Sequence, residues 1–462
     1  GMGVKNLMTC LAEAQPQAFI GIAKAQLARI LLGWGRPTVK TVLTVGRKLF
    51  WGGTSLDKLL TGVAQDAHYA TAQTGADETA AILFTSGSTG VPKGAVYSHG
   101  NFSAHVELLR RVYDIRPGEI DLPTFPLFAL FDPALGMTAV IPDMDPRKPA
   151  HVDPEKIIEP ILNHGVTNMF ASPALLNRVG SFGSKRHVRL PSLRRVVSAG
   201  APVAPAIIEQ FASMLNDTSE IHTPYGATEA VPIISMGSHE ILAETRPLSE
   251  QGYGLCVGRP LGKTEVRIIR ISDDPIAAWS EDLPVRDGDI GEIVVRGDLV
   301  TRSYFRNPQA NIQAKLTDGN SFWHRMGDLG WRDSKNRIWF CGRKSHRVVT
   351  AGGDMFTIPC EAIFNTHPGV FRSALVGVGP HPDQTPVICI ERSPEGLKME
   401  PARLTDELLQ TAAASPLTKS IRHILFHSGF PVDIRHNSKI FREKLAVWAS
   451  RRVKHQEMEH DD

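Results

Sequence analysis

The chain has 462 residues, of which 42% are hydrophobic, and this size predicts at least two domains with separate cores. Lys and Arg total 51 against 48 Asp and Glu. The formal net charge of +3 is too balanced for a nucleic-acid-binding protein, which carries a basic stripe. No run of about 18 apolar residues occurs, so no transmembrane helix is predicted.

Cysteine spacing and the first residues both favour a cytoplasmic protein. No CxxC pair is present among the widely spaced Cys10, Cys256, Cys341, Cys360 and Cys389. This spacing disfavours a zinc site and a disulfide framework, and reduced thiols are the simpler interpretation. GMGVKNLMTC is not a signal peptide, because no charged region precedes an apolar stretch. We therefore expect a cytoplasmic location.

The first elements in chain order lie in residues 18–60, where Lys and Arg interrupt an apolar segment. A membrane-surface helix is one interpretation, and we favour a helix and a strand with charged outer faces. Further on, AAILF (80–84) predicts a buried strand and GAVYSH (94–99) a second one. Asn101 predicts the N-cap of a helix through FSAHVELLRRVY.

Strands and helices continue to alternate toward the C-terminus. LRRVVSAGAPV predicts a strand, APAIIEQFASML a helix, and GEIVVRG (291–297) and RIWFCGR (337–343) two more strands. After Arg343 the pattern restarts with the strands FRSALVGVG and PVICIER, the helix ARLTDELLQTAAA and the strand IRHILF. We therefore predict a large domain over 1–344 and a small α+β domain over 345–462.

The loop TSGSTGVPKG (85–94), between two predicted strands, indicates phosphate binding. Its glycines allow tight turns that aim backbone N–H groups at an anion, its hydroxyl groups add donors, and Lys93 adds a charge. The Walker pattern does not apply, because Gly94 follows Lys93. A flexible Gly/Ser linker is disfavoured by the apolar strands on both sides.

Three further segments carry polar residues that suit nucleotide chemistry. TPYGATEA places Tyr225, Thr228 and Glu229 on a turn after a short strand. RMGDLGW places Asp328 directly after a glycine, and PVDIRHNSKIFREKL places Lys439 on a polar segment before a helix. Each segment alone is weak, because a single Asp or Lys in a loop is usually solvated. Their joint order and spacing are specific.

With these motifs the chain resembles the AMP-forming adenylating superfamily, which includes acyl-CoA synthetases, luciferases and the adenylation domains of peptide synthetases. TSGSTGVPKG is similar to its phosphate loop, YGATE to its nucleotide and metal motif, and Gly327-Asp328 to its ribose motif. GRKSHRVVTAGGDMFTIPCEA is similar to its interdomain hinge region. The resemblance implies an α/β fold, with a large N-terminal domain of parallel-rich sheets flanked by helices and a small mobile C-terminal α+β domain.

The resemblance also implies ATP and Mg²⁺ as cofactors. The β- and γ-phosphates would be held by Thr85, Ser86, Gly87, Ser88, Thr89 and Lys93. The adenine would be contacted by Gly200, Ala201, Pro202 and Tyr225, and Gly226 is a further implied cofactor-binding residue. Glu229 and Thr85 are the implied metal ligands.

The remaining implied roles concern the α-phosphate and the ribose. Thr228 would contact the α-phosphate, and Asp328 and Arg343 would hold the ribose. Lys439 stands where the superfamily has its adenylation lysine, which would bridge the substrate carboxylate and the α-phosphate. The implied catalytic residues are Lys439, Glu229 and Thr228.

Residues 124–154, 190–203 and 430–449 resemble, more narrowly, the β-lactone synthetases of bacterial long-chain olefin biosynthesis. This resemblance implies that a fatty-acid-type substrate, a 2-alkyl-3-hydroxy acid, is adenylated without coenzyme A. Its own 3-hydroxyl would then close a β-lactone and release AMP. It also suggests assembly with other enzymes of the olefin pathway.

Three departures from the superfamily pattern agree with this interpretation. The superfamily often has the motif Pro-Leu-Phe-His, and here Ala129 replaces its histidine. Ser345 stands where the hinge usually has Asp or Lys, and Ser438 stands where the superfamily has a glycine before the adenylation lysine. A changed hinge suits an intramolecular attack, because no pantetheine arm has to enter. Neutral drift in a long-chain acyl-CoA ligase is the alternative, and Gly352-Gly353 remains suitable for its hinge.

Two other classes fit less well. A peptide-synthetase-like adenylation domain is disfavoured because no carrier-domain serine motif is visible. An inactive acyl-binding or scaffold protein is disfavoured by the complete set of Lys93, Glu229, Asp328 and Lys439.

The apolar run from Phe125 to Met137 has two interpretations. The resemblance favours the lining of an acyl tunnel, whereas composition alone favours ordinary core. His99 and His436 are candidate general bases for the 3-hydroxyl, although such histidines are more often structural or solvated. Since the phosphate loop usually lies further along the chain, on the order of a hundred residues of the large domain are expected before Gly1.

Overall fold

The computed structural model describes residues 3–64, 68–85, 92–432 and 440–460, and only the backbone of 454–460. The chain forms two compact units, Gly1–Phe102 with Thr301–Asn311 and Ser103–Val300 with Ile312–Asp462. No helix in these described ranges is long and apolar enough to cross a membrane.

The first unit holds a small parallel sheet and an antiparallel strand pair. Strands β1, β2 and β3 form the sheet in that order, and β4 pairs with β5. Residues 303–305 extend this pairing, because Phe305 N donates to Gly94 O and Val96 N donates to Ser303 O. The elements are α1 (Val4–Ala14), β1 (Ala18–Ile22), α2 (Ala23–Leu32), β2 (Thr41–Val45), β3 (Thr54–Ser55), α3 (Leu56–Thr61), β4 (Thr79–Phe84) and β5 (Gly94–Ser98).

Helix α4 (His99–Val112) begins two residues before its predicted cap, so the assignment of Asn101 as N-cap was wrong. Asn101 Oδ1 accepts a hydrogen bond from Ser98 N at 3.0 Å, and Ser98 Oγ accepts one from Asn101 N at 3.1 Å. This reciprocal pair satisfies two backbone donors at the start of the helix, which makes Ser98 the capping residue.

The second unit opens with a five-stranded sheet in the order β10-β9-β8-β6-β7, in which every pair is parallel. Helices α6, α7 and α8 bury their apolar faces in the same core as its strands. The elements are β6 (Ile120–Pro123), α5 (Asp132–Leu135), β7 (Thr138–Ala139), α6 (Glu155–His164), β8 (Asn168–Ala171), α7 (Pro173–Lys185), β9 (Arg195–Ser198), α8 (Pro205–Ala212) and β10 (Glu220–His222).

An eight-stranded antiparallel sheet follows, in the order β11-β12-β13-β18-β17-β15-β14, with β16 pairing on β17. Since β10 ends at His222 and β11 begins at Tyr225, the chain passes directly from the parallel sheet into this one. Its elements are β11 (Tyr225–Ala227), β12 (Ala230–Ser235), α9 (Ser238–Glu240), α10 (Arg246–Glu250), β13 (Leu255–Pro260), β14 (Glu265–Ile269), β15 (Gly291–Arg296), α11 (Pro308–Ala314), β16 (Lys315–Asp318), β17 (Ser321–Arg332) and β18 (Ile338–Arg343).

The C-terminal part of the second unit has a three-stranded sheet, β21-β22-β23, whose first pair is antiparallel and whose second is parallel. Successive residues of β21 alternate between two cores: Leu375 packs in one, and Ala374 and Val376 in the other. The elements are β19 (Val348–Thr350), β20 (Gly353–Met355), α12 (Thr357–Asn365), β21 (Val370–Val378), β22 (Thr385–Arg392), α13 (Pro401–Ala414), β23 (His423–Phe426) and α14 (Arg442–His460).

The α/β fold class is confirmed, and so are the predicted strands that became β4, β5, β9, β15, β18, β21, β22 and β23. The predicted helices of residues 204–215 and 402–414 correspond to α8 and α13. The large antiparallel sheet was not predicted. A domain boundary between Lys344 and Ser345, and the mobility of the C-terminal part, stay predictions.

Helix α6 provides a matched pair for testing the core of the parallel sheet. Ile161 is fully buried, whereas its neighbour Leu162 is 49% exposed. Ile161→Ala should lower the free energy of unfolding by about 2–5 kcal/mol, because it removes buried methyl groups and leaves a cavity. Leu162→Ala should change it by only about 0.5 kcal/mol. Urea denaturation of both variants checks this, and equal losses would contradict the core assignment.

Candidate active site

A bulge in β17 positions the predicted ribose residue Asp328. Glu292 of β15 pairs with Leu329, but Val294 pairs with Arg325, so three residues of β17 lie opposite one residue of β15. Gly327, at the centre of the bulge, has a φ of +65°, which side chains with a Cβ rarely adopt. The bulge turns the chain so that Asp328, only 3% exposed, lies opposite Arg343 at the end of β18.

The buried Asp328 carboxylate contacts two other predicted site residues. Its Oδ1 lies 3.0 Å from Arg343 Nη1, and its Oδ2 accepts a hydrogen bond from the Tyr225 hydroxyl at 2.6 Å. Burial raises the pKa of Asp328, and the nearby Arg343 charge opposes that rise. In turn, Asp328 raises the pKa of Arg343, while burial raises that of Tyr225. The three side chains form one coupled group.

Thr228 and Glu229 form the two-residue turn between β11 and β12. At Gly226 an added Cβ would lie 2.4 Å from Ala230 O, so only glycine fits this hairpin. Glu229 is 9% exposed, and its charge raises the pKa of Asp328 and of Arg343. The hairpin therefore brings Glu229 into the neighbourhood of the ribose residues. Within the described ranges, no cluster of three or more His, Cys, Asp or Glu could hold a metal ion.

Lys315 belongs to the same neighbourhood, although the sequence did not single it out. It starts the short edge strand β16, opposite His324 of β17, and its ammonium lies 5.0 Å from the centre of the Phe322 ring. Burial lowers the pKa of Lys315 to about 7, and the Glu229 charge opposes this shift. A lysine beside a DGN turn is normally solvated, so no sequence signal could have identified it.

The carboxyl-terminal edge of the parallel sheet carries the predicted adenine segment. Gly200, Ala201 and Pro202 follow β9, and Gly200 has a φ of +94°. Because β10 pairs with β9 in parallel, this segment and the one leading to Tyr225 leave the sheet side by side. Ligands of parallel sheets bind at this edge.

The apolar run after β6 divides into two parts. Four side chains are between 39% and 71% exposed, namely Phe125, Leu127, Phe128 and Leu130. The centre of the Phe128 ring lies 4.2 Å from the centre of the Phe170 ring, near the end of β8. The second part of the run packs in a small core with Leu135 and Met137. The expectation of ordinary core is therefore wrong for the first part and right for the second.

The first unit holds the ends of the predicted phosphate loop. Thr85 N donates to Lys93 O at 2.9 Å, and Lys93 N donates to Thr85 Oγ1 at 3.1 Å. The Lys93 ammonium lies 5.4 Å from the centre of the Tyr304 ring. Predicted site residues outside the described ranges are Ser86, Gly87, Ser88, Thr89, Lys439 and the candidate base His436.

The predicted hinge is a short 3-10 turn, Lys344–His346, tied to several elements by ion pairs. Lys344 Nζ lies 3.1 Å from Glu292, which also binds Arg325. Arg347 Nη2 lies 2.5 Å from Asp273. A cavity of about 370 Å³ adjoins the turn and is lined by Asp273, Lys344, Ser345, Arg347 and His381.

Comparison with known proteins identifies the family to which this chain belongs. The family model described as "AMP-binding enzyme" matches residues 1–305. The chain belongs to the AMP-binding enzyme family. It is 48% identical to the olefin beta-lactone synthetase of Xanthomonas campestris pv. campestris and 49% identical to that of Stenotrophomonas maltophilia. Each match covers 97% of this chain and 81% of the relative.

Solved structures agree with the fold of this AMP-binding enzyme. ATP-bound MatB from Rhodopseudomonas palustris superposes with a TM-score of 0.75 at 21% identity, over 97% of this chain and 82% of that one. The family match and the synthetase relatives confirm the predicted superfamily. The protein is an AMP-forming enzyme that adenylates an acid.

Beside the exposed apolar segment, the AMP-binding enzyme buries two carboxyl groups. Asp121 on β6 accepts a hydrogen bond from Asn168 Nδ2, and burial together with the Asp132 charge raises its pKa to about 7. Burial raises the pKa of Asp132 to about 6, and its Oδ2 has no hydrogen-bond partner in the described part of the chain. Both groups bind protons more tightly in the folded state than in the unfolded chain.

This difference predicts a pH dependence of stability. The folded-state pKa of Asp121, about 7, exceeds the unfolded value of about 3.9. The stability that Asp121 contributes to the folded state is therefore fully present below pH 4 and is lost as the pH rises to 7. Asp121→Asn cannot ionise at this position. The difference between its free energy of unfolding and that of wild type should therefore increase by about 2–4 kcal/mol from pH 5 to pH 8. Urea denaturation at both pH values checks this. Asp217 is exposed, so Asp217→Asn should show the same pH dependence of unfolding free energy as wild type. The same pH dependence in Asp121→Asn would contradict the raised pKa of Asp121.

Proposed function

We propose that this enzyme is a β-lactone synthetase that acts on a long-chain 2-alkyl-3-hydroxy fatty acid in olefin biosynthesis. It adenylates the acid with ATP and closes the acyl-adenylate to a β-lactone. The observation that carries the proposal is the identity of 48–49% to two olefin beta-lactone synthetases along almost the whole chain.

We assign the ribose and adenine of ATP to the coupled group around Asp328. Asp328 Oδ1 is buried and accepts no well-aligned hydrogen bond in the described ranges, so it suits a ribose hydroxyl donor. The Arg343 charge opposes the rise that burial causes in the pKa of this carboxyl group. The adenine would lie between Tyr225 and the Gly200–Pro202 segment, which leave adjacent parallel strands.

We assign the phosphates to the loop from Thr85 to Lys93, and Mg²⁺ to Glu229 with Thr85. One carboxylate at a hairpin turn fits magnesium, which in nucleotide sites takes few protein ligands and binds the substrate phosphates. When bound, Mg²⁺ supplies positive charge against the phosphates. Thr228 would contact the α-phosphate, and Lys439 would offset the charge that grows between the two anionic reactants.

The proposed reaction has two steps. First, a carboxylate oxygen of the acid forms a bond to the α-phosphorus, and pyrophosphate leaves. Then the 3-hydroxyl oxygen attacks the acyl carbon, the bond from that carbon to the AMP oxygen breaks, and the hydroxyl proton passes to a base or to water. The products are the β-lactone and AMP, and coenzyme A takes no part.

The exposed apolar side chains after β6 suit the alkyl groups of this substrate. Phe125, Leu127, Phe128 and Leu130 form an apolar surface at the same sheet edge as the adenine segment. Because Ala129 carries only a methyl group, no polar side chain interrupts this surface. We further propose a cytoplasmic location and assembly with other olefin-pathway enzymes.

The adenylation lysine can be tested first. Lys439→Ala should lower the rate of acid-dependent ATP–pyrophosphate exchange by orders of magnitude, because the charge between the reactants is no longer offset. ATP affinity, measured by calorimetry, should stay within about twofold. The exposed Lys444→Ala on α14 is the matched control and should exchange normally. Exchange in Lys439→Ala at the wild-type rate would refute the role of Lys439.

The acceptor is tested by product analysis. With ATP, Mg²⁺ and a racemic 2-alkyl-3-hydroxy acid but no coenzyme A, the enzyme should release one AMP per β-lactone, detected by mass spectrometry and NMR. The same acid without its 3-hydroxyl should form adenylate but no lactone. A strict requirement for coenzyme A, with an acyl-CoA product, would overturn the proposal in favour of a long-chain fatty acid–CoA ligase.

A further inference from the structure

A buried ion pair anchors the start of α14. The Arg442 guanidinium binds the Glu361 carboxylate through two parallel contacts, Nη1 to Oε1 at 2.5 Å and Nη2 to Oε2 at 2.9 Å. Nη1 also donates to Leu375 O at 3.1 Å, and Glu361 Oε1 accepts from Leu375 N at 2.8 Å. The side chains are only 12% and 7% exposed. The pair thus joins α14 to α12 and β21.

The backbone is fixed at the same place. Ile440 and Val432 form an antiparallel bridge, and Phe441 N donates to Pro431 O at 2.8 Å. Val432 and Ile440 both pack on the core that contains Leu445. Position 440 therefore has a fixed location, and Arg442, two residues later, fixes the direction of the chain there.

A second ion pair, between Glu391 and Arg372, fixes residues 430–432, of which Val432 pairs with Ile440 in the bridge. Glu391 Oε2 accepts from Phe430 N at 3.1 Å and from Arg372 Nε at 2.7 Å. Phe430 is buried in the same core as Val432 and Ile440. Residues 430–432 and 440–442 are thus both attached to strands β21 and β22 by charged and apolar contacts.

We propose that Glu361 and Arg442 are positioning residues for adenylation, acting through Lys439, which directly precedes the anchored Ile440. This inference rests on the proposed role of Lys439. A bidentate Arg–carboxylate pair restrains orientation as well as distance, whereas a point charge restrains distance alone. Since misplacing a reacting group by about 1 Å can cost about 100-fold in rate, an anchor this near to Lys439 has kinetic consequences.

The test removes the pair without leaving an unpaired buried charge. In Glu361→Met/Arg442→Met, apolar groups of similar size replace both ions, a change that proteins often tolerate. We expect the kcat of ATP–pyrophosphate exchange to fall about 10- to 100-fold, with ATP affinity unchanged and a thermal unfolding midpoint near that of wild type. Arg442→Lys, which keeps the charge but loses the planar fork, should retain an intermediate kcat.

The matched control is another buried Arg–Glu pair, Arg195–Glu119, in the parallel sheet. It is also bidentate, with distances of 2.7 and 3.1 Å, and comparably buried. Glu119→Met/Arg195→Met should therefore show a similar change in unfolding midpoint but an unchanged kcat. An unchanged kcat in the folded Glu361→Met/Arg442→Met variant, or an equal fall in the control, would overturn the inference. If wild type shows no exchange with any 3-hydroxy acid, the proposed function fails instead.

Discussion

The arrangement of the site depends on one buried carboxylate. Asp328 is held between the Tyr225 hydroxyl and the Arg343 guanidinium, and these three residues come from three different strands, β11, β17 and β18. Burial favours the protonated form of a carboxyl group, and the Arg343 charge opposes that effect on the pKa of Asp328. The Tyr225 hydroxyl donates a hydrogen bond to the second carboxyl oxygen. The bulge at Gly327 makes the contact possible, because it brings Asp328 opposite Arg343 while β17 continues its pairing with β15.

The chain passes directly from the parallel to the antiparallel sheet, and this explains how protein groups suited to different parts of a ligand are brought together within the second unit. The parallel sheet presents the Gly200 segment and the exposed Phe125–Leu130 surface at its carboxyl edge. A few residues after β10, the chain enters the hairpin that carries Tyr225 and Glu229. One short connection thus links an apolar surface that suits an acid's alkyl chain with polar groups that suit a nucleotide.

The sequence was informative where the signal is local. Strands such as β4, β21 and β22 have continuous apolar runs between turn residues, and the glycine-rich and YGATE segments carry their residue types in one short stretch. Long-range pairing leaves no such signal. Glu292, Arg325 and Lys344 form one ion-pair cluster, and Lys315 lies near Glu229, over separations of 19 to 86 residues that only the folded sheet closes. Solvation of an isolated charged residue was the reasonable expectation, and tertiary burial overrode it.

The hinge gives a physical reason to favour an intramolecular acceptor. Lys344 is bound to Glu292 and to Ser272 O, His346 lies 3.2 Å from Glu443 of α14, and Arg347 is bound to Asp273. Rotation of the C-terminal part about Ser345 would have to break the Arg347–Asp273 pair, because the two residues lie on opposite sides of the turn in the sequence. An incoming thiol requires a path to the acyl-adenylate, and a rotation about Ser345 that opened such a path would break the Arg347–Asp273 pair. A 3-hydroxyl that is already part of the bound acid requires no such opening, so the proposed reaction does not require the Arg347–Asp273 pair to break.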